Sequence, residues 1–156
     1  MFTPLTILRP CGMIVLSEGE KKMKIRKANQ NDYIHIVRSI QNKKISYITA
    51  AHIKEDINNG RQYVMTDDNE KVIAILSIIY DNDYHYYAMK RLCVPNKKNR
   101  GKGYAKEMIQ FVSNSVNDKV GCTPWIENAA VRHTLEKLGF HLEYIFSEKW
   151  CFYSKE

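Results

Sequence analysis

One stretch restricts the fold of this chain more than any other: Val-Pro-Asn-Lys-Lys-Asn-Arg-Gly-Lys-Gly-Tyr-Ala, Val94 to Ala105. An extended, aromatic-rich run ends at Val94. The loop that follows carries two glycines, Gly101 and Gly103. It opens directly into a helical pattern on which Ala105, Met108, Ile109, Val112 and Val116 share one face. A strand that leaves through such a loop into a helix presents free backbone N–H groups at the positive end of the helix dipole. The glycines keep side chains out of the way of a close approach to the main chain. That combination favours phosphate or pyrophosphate.

The charge pattern points the same way. Between Lys90 and Lys106 there are seven basic residues and no acid, in a chain with 24 basic and 17 acidic residues, so without this segment the two signs balance at 17 each. An excess spread over the whole surface would favour nucleic acid or a membrane. Confined to one glycine loop, it favours a compact polyanion.

Two familiar phosphate signatures do not fit. The P-loop requires Gly-Lys followed by Ser or Thr, and Tyr104 follows Gly103; the dinucleotide fingerprint requires a third spaced glycine. Arg100-Gly101-Lys102-Gly103-Tyr104-Ala105 does resemble the Arg/Gln-x-x-Gly-x-Gly/Ala signature of the GCN5-related N-acetyltransferase (GNAT) family. A second segment strengthens the likeness. Asn128 after a strand, a short helix and then Glu136-Lys137-Leu138-Gly139-Phe140 look like the later motif of that family. The resemblance covers residues 23–156.

It implies an α/β fold with a mixed, mostly antiparallel central sheet flanked by helices, and acetyl-coenzyme A as cosubstrate. It also implies roles for particular residues. Backbone groups of Leu92, Cys93 and Val94 would pair with the pantetheine arm. Arg100, Gly101, Lys102, Gly103, Tyr104 and Ala105 would hold the pyrophosphate through main-chain N–H groups. Lys97, Lys98 or Lys102 would neutralise the ribose phosphate, and Asn128 would hydrogen-bond the pantetheine.

Taken in order, residues 1–22 match nothing downstream. Residues 18–22, Glu-Gly-Glu-Lys-Lys, can be encoded by a purine-rich run of the kind that serves as a bacterial ribosome-binding site, which makes Met23 the expected start of a single domain over 23–156. The opening residues lack the early cation and uninterrupted apolar core of a signal peptide, and no apolar run has bilayer length. A cytoplasmic protein with no membrane partner is expected. A strand over 23–28 precedes a helix capped by Asn29 or Asn31 and running to Ile40. A second helix over 49–58 carries His52 as a surface or packing residue. Strands over 63–65, 71–80 and 84–94 read as a meander separated by Asp/Asn turns. Tyr84, His85, Tyr86 and Tyr87 are placed to wall an acceptor pocket or to pack. A strand over 119–125 is interrupted by Pro124, Asn128 caps a helix over 129–138 that ends at Gly139, and strands over 140–146 and 149–153 finish the chain. The four cysteines are scattered without metal-ligand or disulfide spacing, so no metal is expected.

Acetyl transfer to an amine needs a proton acceptor, because a lysine-type amine has a pKa of about 10.4. The strand before the loop supplies Lys90 and Arg91 and no carboxylate, so Glu127 and His85 are the candidate bases. In the family a Tyr seven positions after the Asn commonly protonates the leaving thiolate. That position is Leu135 here, with Tyr144, Cys151 and Tyr153 as conceivable substitutes. The expected function is an acetyl-coenzyme A-dependent N-acetyltransferase that acts on a primary amine of a small molecule or peptide by direct attack in a ternary complex. The missing carboxylate and Tyr keep a non-catalytic acyl-coenzyme A sensing module as an alternative. A nucleic-acid partner for the basic loop is a weaker reading because the other charges balance, and a homodimer is left open.

Overall fold

The computed structural model describes residues 13–15, 22–41 and 47–156. Eight strands form one sheet: β1 (Met13–Val15), β2 (Lys22–Lys27), β3 (Gln62–Thr66), β4 (Val72–Asp81), β5 (Tyr86–Cys93), β6 (Val120–Cys122), β7 (His141–Ile145) and β8 (Cys151–Lys155). Their order is β1-β2-β3-β4-β5-β6-β8-β7, and among the described residues β5–β6 is the single parallel neighbour pair. The helices are α1 (Tyr33–Gln41), α2 (Ala50–Asn58), α3 (Tyr104–Asn114) and α4 (Ala129–Lys137). This is the mixed, mostly antiparallel α/β sheet expected from the sequence. Met13–Val15 pairs antiparallel with Lys22–Lys24 of β2. The stretch read as a ribosome-binding signal falls mostly in 16–21, outside the described residues. Among the described residues no helix is long and apolar enough to cross a membrane.

The two sheet faces are covered by different helices because the apolar stripes differ. Met108, Ile109 and Val112 of α3 and Leu135 of α4 pack with Leu76, Ile78, Met89, Val120 and Tyr153. Ile36, Val37 and Ile40 of α1 and Ile53 and Ile57 of α2 pack on the other face with Val64, Ile75 and Cys93. β4 lies between both layers, which is why its sequence is apolar almost throughout.

Turn chemistry decides where several elements begin. The Asp81 carboxylate accepts the N–H groups of Asp83 and Tyr84 at 2.9 and 3.0 Å. Tyr84 and His85 therefore belong to a tight turn, and β5 starts at Tyr86, later than the pattern predicts. The Ser147 hydroxyl accepts the N–H groups of Lys149 and Trp150, which delays β8 to Cys151. His52, read as surface or packing, closes the α2 cap: its N–H donates to Thr49 Oγ1 at 3.1 Å.

The entry to α1 carries a testable electrostatic lock. Asp32 is buried, accepts the Asn29 N–H at 2.7 Å, and meets the Arg26 guanidinium in two bonds of 2.6 and 2.9 Å. Burial pushes the Asp32 carboxyl up, but the Arg26 and Asn29 hydrogen bonds and the Arg26 charge together hold it below the usual carboxylate value. A lowered folded-state pKa gives stability that is present above the unfolded value, near 3.9, and is lost as pH falls through the native one. Asp32→Asn is expected to cost roughly 1–3 kcal/mol at pH 7 in urea unfolding, with the gap to the unsubstituted chain closing as pH falls through the lowered native pKa of Asp32. A gap that stays constant from pH 7 to pH 2 would contradict this assignment.

Candidate functional site

The site begins where β5 and β6 part. Their parallel pairing covers only Tyr87–Met89 against Val120–Cys122, and past Cys122 the chain reaches Pro124, which has no N–H to continue a ladder. The main chain of Leu92, Cys93 and Val94 is thus left without a strand neighbour on that side. A bulge helps to turn it: Ile75 pairs with Cys93 and Ser77 with Lys90, so Arg91 and Leu92 together face Leu76 alone. Arg91 sits at φ +57°, a left-handed conformation that costs a non-glycine residue roughly 1–3 kcal/mol.

The glycine loop continues from the open strand end. Residues 97–99 form a 3-10 turn capped by the Asn96 side chain, which accepts the Lys98 N–H at 3.1 Å. The Arg100 guanidinium folds back, with Nε donating to the Val94 carbonyl at 3.0 Å. Arg100 therefore braces the loop against the strand. Gly103, at φ +85°, caps α3, and a Cβ placed there or on Gly101 would meet no protein atom within 4 Å. The first helical bond joins the Glu107 N–H to the Gly103 carbonyl at 3.0 Å. The N–H groups of Tyr104, Ala105 and Lys106 precede it and have no intrahelical acceptor.

The start of α4 forms the facing wall. The Asn128 side-chain oxygen accepts the Val131 N–H at 3.3 Å as the cap of α4, which leaves its amide NH2 for another partner. Between these elements lies a cavity of about 560 Å³, lined by Leu92, Cys93, Val94, Arg100, Gly101, Gly103, Tyr104, Ala105 and Asn128 among others. Lys98 and Lys102 stand exposed on the loop, outside the lining. Glu127 is exposed in the turn immediately before Asn128 and also lies outside the lining. His85 is not brought to the cavity. It occupies the turn at the far end of β5, and the seven residues from Tyr86 to Leu92 span roughly 20 Å of strand.

Several lining residues were not anticipated from sequence. Val131 and Thr134 on α4, and Lys106 and Ile109 on α3, follow from helix direction once the two glycine-bounded motifs face each other. Tyr47 gave no signal, because it precedes α2 and reaches the cavity only through tertiary packing. Its hydroxyl is set against the Cys93 thiol. Burial pushes that thiol above its usual range, opposed by the Arg100 charge. The neutral thiol adds no negative charge to the wall.

Tyr86 and Tyr84 line a second cavity of about 460 Å³, with Asp81, Glu143, Tyr144 and Phe152. Tyr87 instead stacks edge-on to Tyr80 at 4.9 Å. Of the substitutes for a thiolate acid, Tyr144 belongs to this second cavity. Tyr153 is fully buried with its hydroxyl accepting from Arg132 Nε at 3.1 Å, and the buried Cys151 thiol faces the Pro124 carbonyl.

Comparison with known families matches residues 24–140 to the acetyltransferase (GNAT) family. The chain belongs to the GNAT family. Solved structures with the same fold include a GNAT-family acetyltransferase of Streptococcus agalactiae, 20% identical, with a TM-score of 0.73 over 85% of this chain and 94% of that one. A second, from Bacillus cereus, is 19% identical with a TM-score of 0.73 over 86% and 96%. Arabidopsis thaliana Naa50, solved with the bisubstrate analogue CoA-Ac-MVNAL, is 11% identical with a TM-score of 0.67 over 86% and 98%. No curated protein matches.

GNAT acetyltransferases use acetyl-coenzyme A, and this cavity suits it. An unpaired strand edge faces one wall, free helix N–H groups close one end, and the glycines leave open space where any Cβ would intrude. One position departs from the family pattern: Leu135, where a Tyr is common, is fully buried in the core. Leu135→Tyr would place a larger, polar side chain in that core. It is expected to lower the melting temperature by about 3–10 °C, from an overpacking cost of roughly 1–3 kcal/mol, without raising kcat. A stable variant with a higher kcat would show that the hydroxyl does reach the reacting atoms.

Proposed function

We propose that this GNAT chain transfers an acetyl group from acetyl-coenzyme A to a primary amine of a small molecule or peptide, by direct attack in a ternary complex. The observation that carries the reading is the single cavity shared by the free edge of β5 and the glycine-bounded start of α3. Acetyl-coenzyme A brings an activated thioester, and the chain has to bind, orient and handle a proton. Leu92 to Val94 offer main-chain partners for an extended amide arm, the N–H groups of 101–106 take the pyrophosphate, and the Asn128 amide reaches the arm from the other wall. Lys98 and Lys102 supply positive charge at the rim.

Glu127 is the assigned base. It directly precedes Asn128 of the cavity wall, and exposure gives it access to the water that would relay a proton from the amine. A thiol of pKa about 8.5 is a tolerable leaving group without a dedicated acid, and holding the two reactants together can provide much of the acceleration. The presence of a peptide-bearing bisubstrate analogue on Naa50 makes a peptide amine a reasonable acceptor class here.

The test is thiol release from acetyl-coenzyme A against a broad panel of small amines and peptides. Turnover that depends on the amine, and falls at least tenfold in Glu127→Gln, is the expected result. Tight binding without turnover would favour the sensing module, a reading supported by the buried Leu135 and the lack of any carboxylate among the described residues of the cavity lining.

A further inference from the structure

We propose that Asp56 is a positioning residue for the cofactor strand: through Arg91 it holds the β5 bulge that turns Leu92–Val94 into the cavity. This rests on the reading of that cavity as the acetyl-coenzyme A site. Asp56 lies on α2, on the face away from the glycine loop, and is almost fully buried at 1% exposure. Its Oδ2 accepts from Arg91 Nε at 3.1 Å and Nη2 at 2.5 Å, and from the Ser77 hydroxyl at 2.7 Å. Its Oδ1 stands 3.4 Å from Arg61 Nε, a buried nitrogen with no hydrogen-bond partner among the described residues. Few surface functions require a carboxylate this deep and this fully engaged.

The partners surround one feature. Arg91 is the left-handed residue of the bulge, and Ser77 is paired with Lys90 next to it. Leu76, the residue that Arg91 and Leu92 jointly oppose, has its carbonyl approached by Nε2 of the buried Gln62 at 3.4 Å. A non-glycine residue persists in the left-handed region only when its surroundings over-determine it. Here those surroundings are a two-pronged grip on the guanidinium. Without it, Arg91 would relax toward ordinary strand geometry, the extra residue would leave the ladder, and the main chain at Leu92 would rotate away from the cavity.

The two effects of Arg91, its ion pair and its backbone conformation, can be separated. Arg91→Ala and Arg91→Gly remove the same guanidinium, but only glycine occupies φ near +57° without strain. Acetyl-coenzyme A affinity, measured by calorimetry on the full chain, is expected to fall at least tenfold in Arg91→Ala and to stay within threefold of the unsubstituted chain in Arg91→Gly. Asp56→Ala should also lose at least tenfold, and adding Arg91→Gly to it should restore most of the loss. If Asp56→Ala does not fold, the Arg91 pair decides alone. Equal affinities for Arg91→Ala and Arg91→Gly would overturn the proposal, as would a double variant no better than Asp56→Ala. If the unsubstituted chain does not bind acetyl-coenzyme A, the cofactor reading fails separately. Amide hydrogen exchange across 90–94 in the free protein then reads the bulge directly: faster in Arg91→Ala than in Arg91→Gly supports the lock, and equal rates reject it.

Discussion

Gly103→Val is expected to weaken acetyl-coenzyme A binding by about a hundredfold or more, a loss of roughly 2.8 kcal/mol. At φ +85° a β-branched residue is strained, and the loop can relieve that strain only by moving the N–H groups that begin α3. The protein itself would not object to the added atoms, since a Cβ there meets nothing within 4 Å. The cost is therefore backbone strain and not collision with the protein. Lys98→Ala and Lys102→Ala should each cost less than tenfold, because both side chains are exposed and a solvated charge contributes at most about 1 kcal/mol. Titration calorimetry on the three variants checks the ranking. Similar small losses in all three would mean that side-chain charge, and not the main-chain cradle, holds the ligand.

Gly121→Val should produce the largest loss of stability. Gly121 lies in β6, and a Cβ there would come within 2.6 Å of Phe152 Cζ and 2.7 Å of Tyr86 Cε2. Neither ring can withdraw freely. Tyr86 meets Phe152 edge-on at 5.2 Å between centroids, and Phe152 stacks on Tyr144 at the same spacing. Overpacking costs roughly 1–3 kcal/mol and each disturbed aromatic pair about 0.5–1.5 kcal/mol. The sum, about 2–6 kcal/mol, corresponds to a fall of roughly 5–20 °C in melting temperature for a chain of this size. A fall below about 2 °C, read by calorimetric melting, would contradict the packing described for this face.

The glycine loop and the α4 motif were legible because their chemistry is local. Gly103 caps a helix at positive φ, Asn128 caps another through its own side chain, and each constraint acts within a few residues. Helix faces were mostly legible for the same reason, although Tyr104 is more buried than Ala105 and both line the cavity. Where prediction and structure part, the cause is tertiary. No pattern marks Arg91 as left-handed, because what fixes it is Asp56, 35 positions away. Tyr47 and Cys93 meet only after α2 has packed. His85 looked close to the site because it precedes a strand that leads there, but an extended strand carries its two ends far apart.

Thermal melting with saturating acetyl-coenzyme A, against NADH as a polyanion control, tests the central claim most directly. Ligand at a hundred times its dissociation constant stabilises by about 2.7 kcal/mol, which predicts a rise of roughly 5–10 °C with acetyl-coenzyme A and little with NADH. No rise, or equal rises with both compounds, would contradict the assignment of this cavity as an acyl-coenzyme A site.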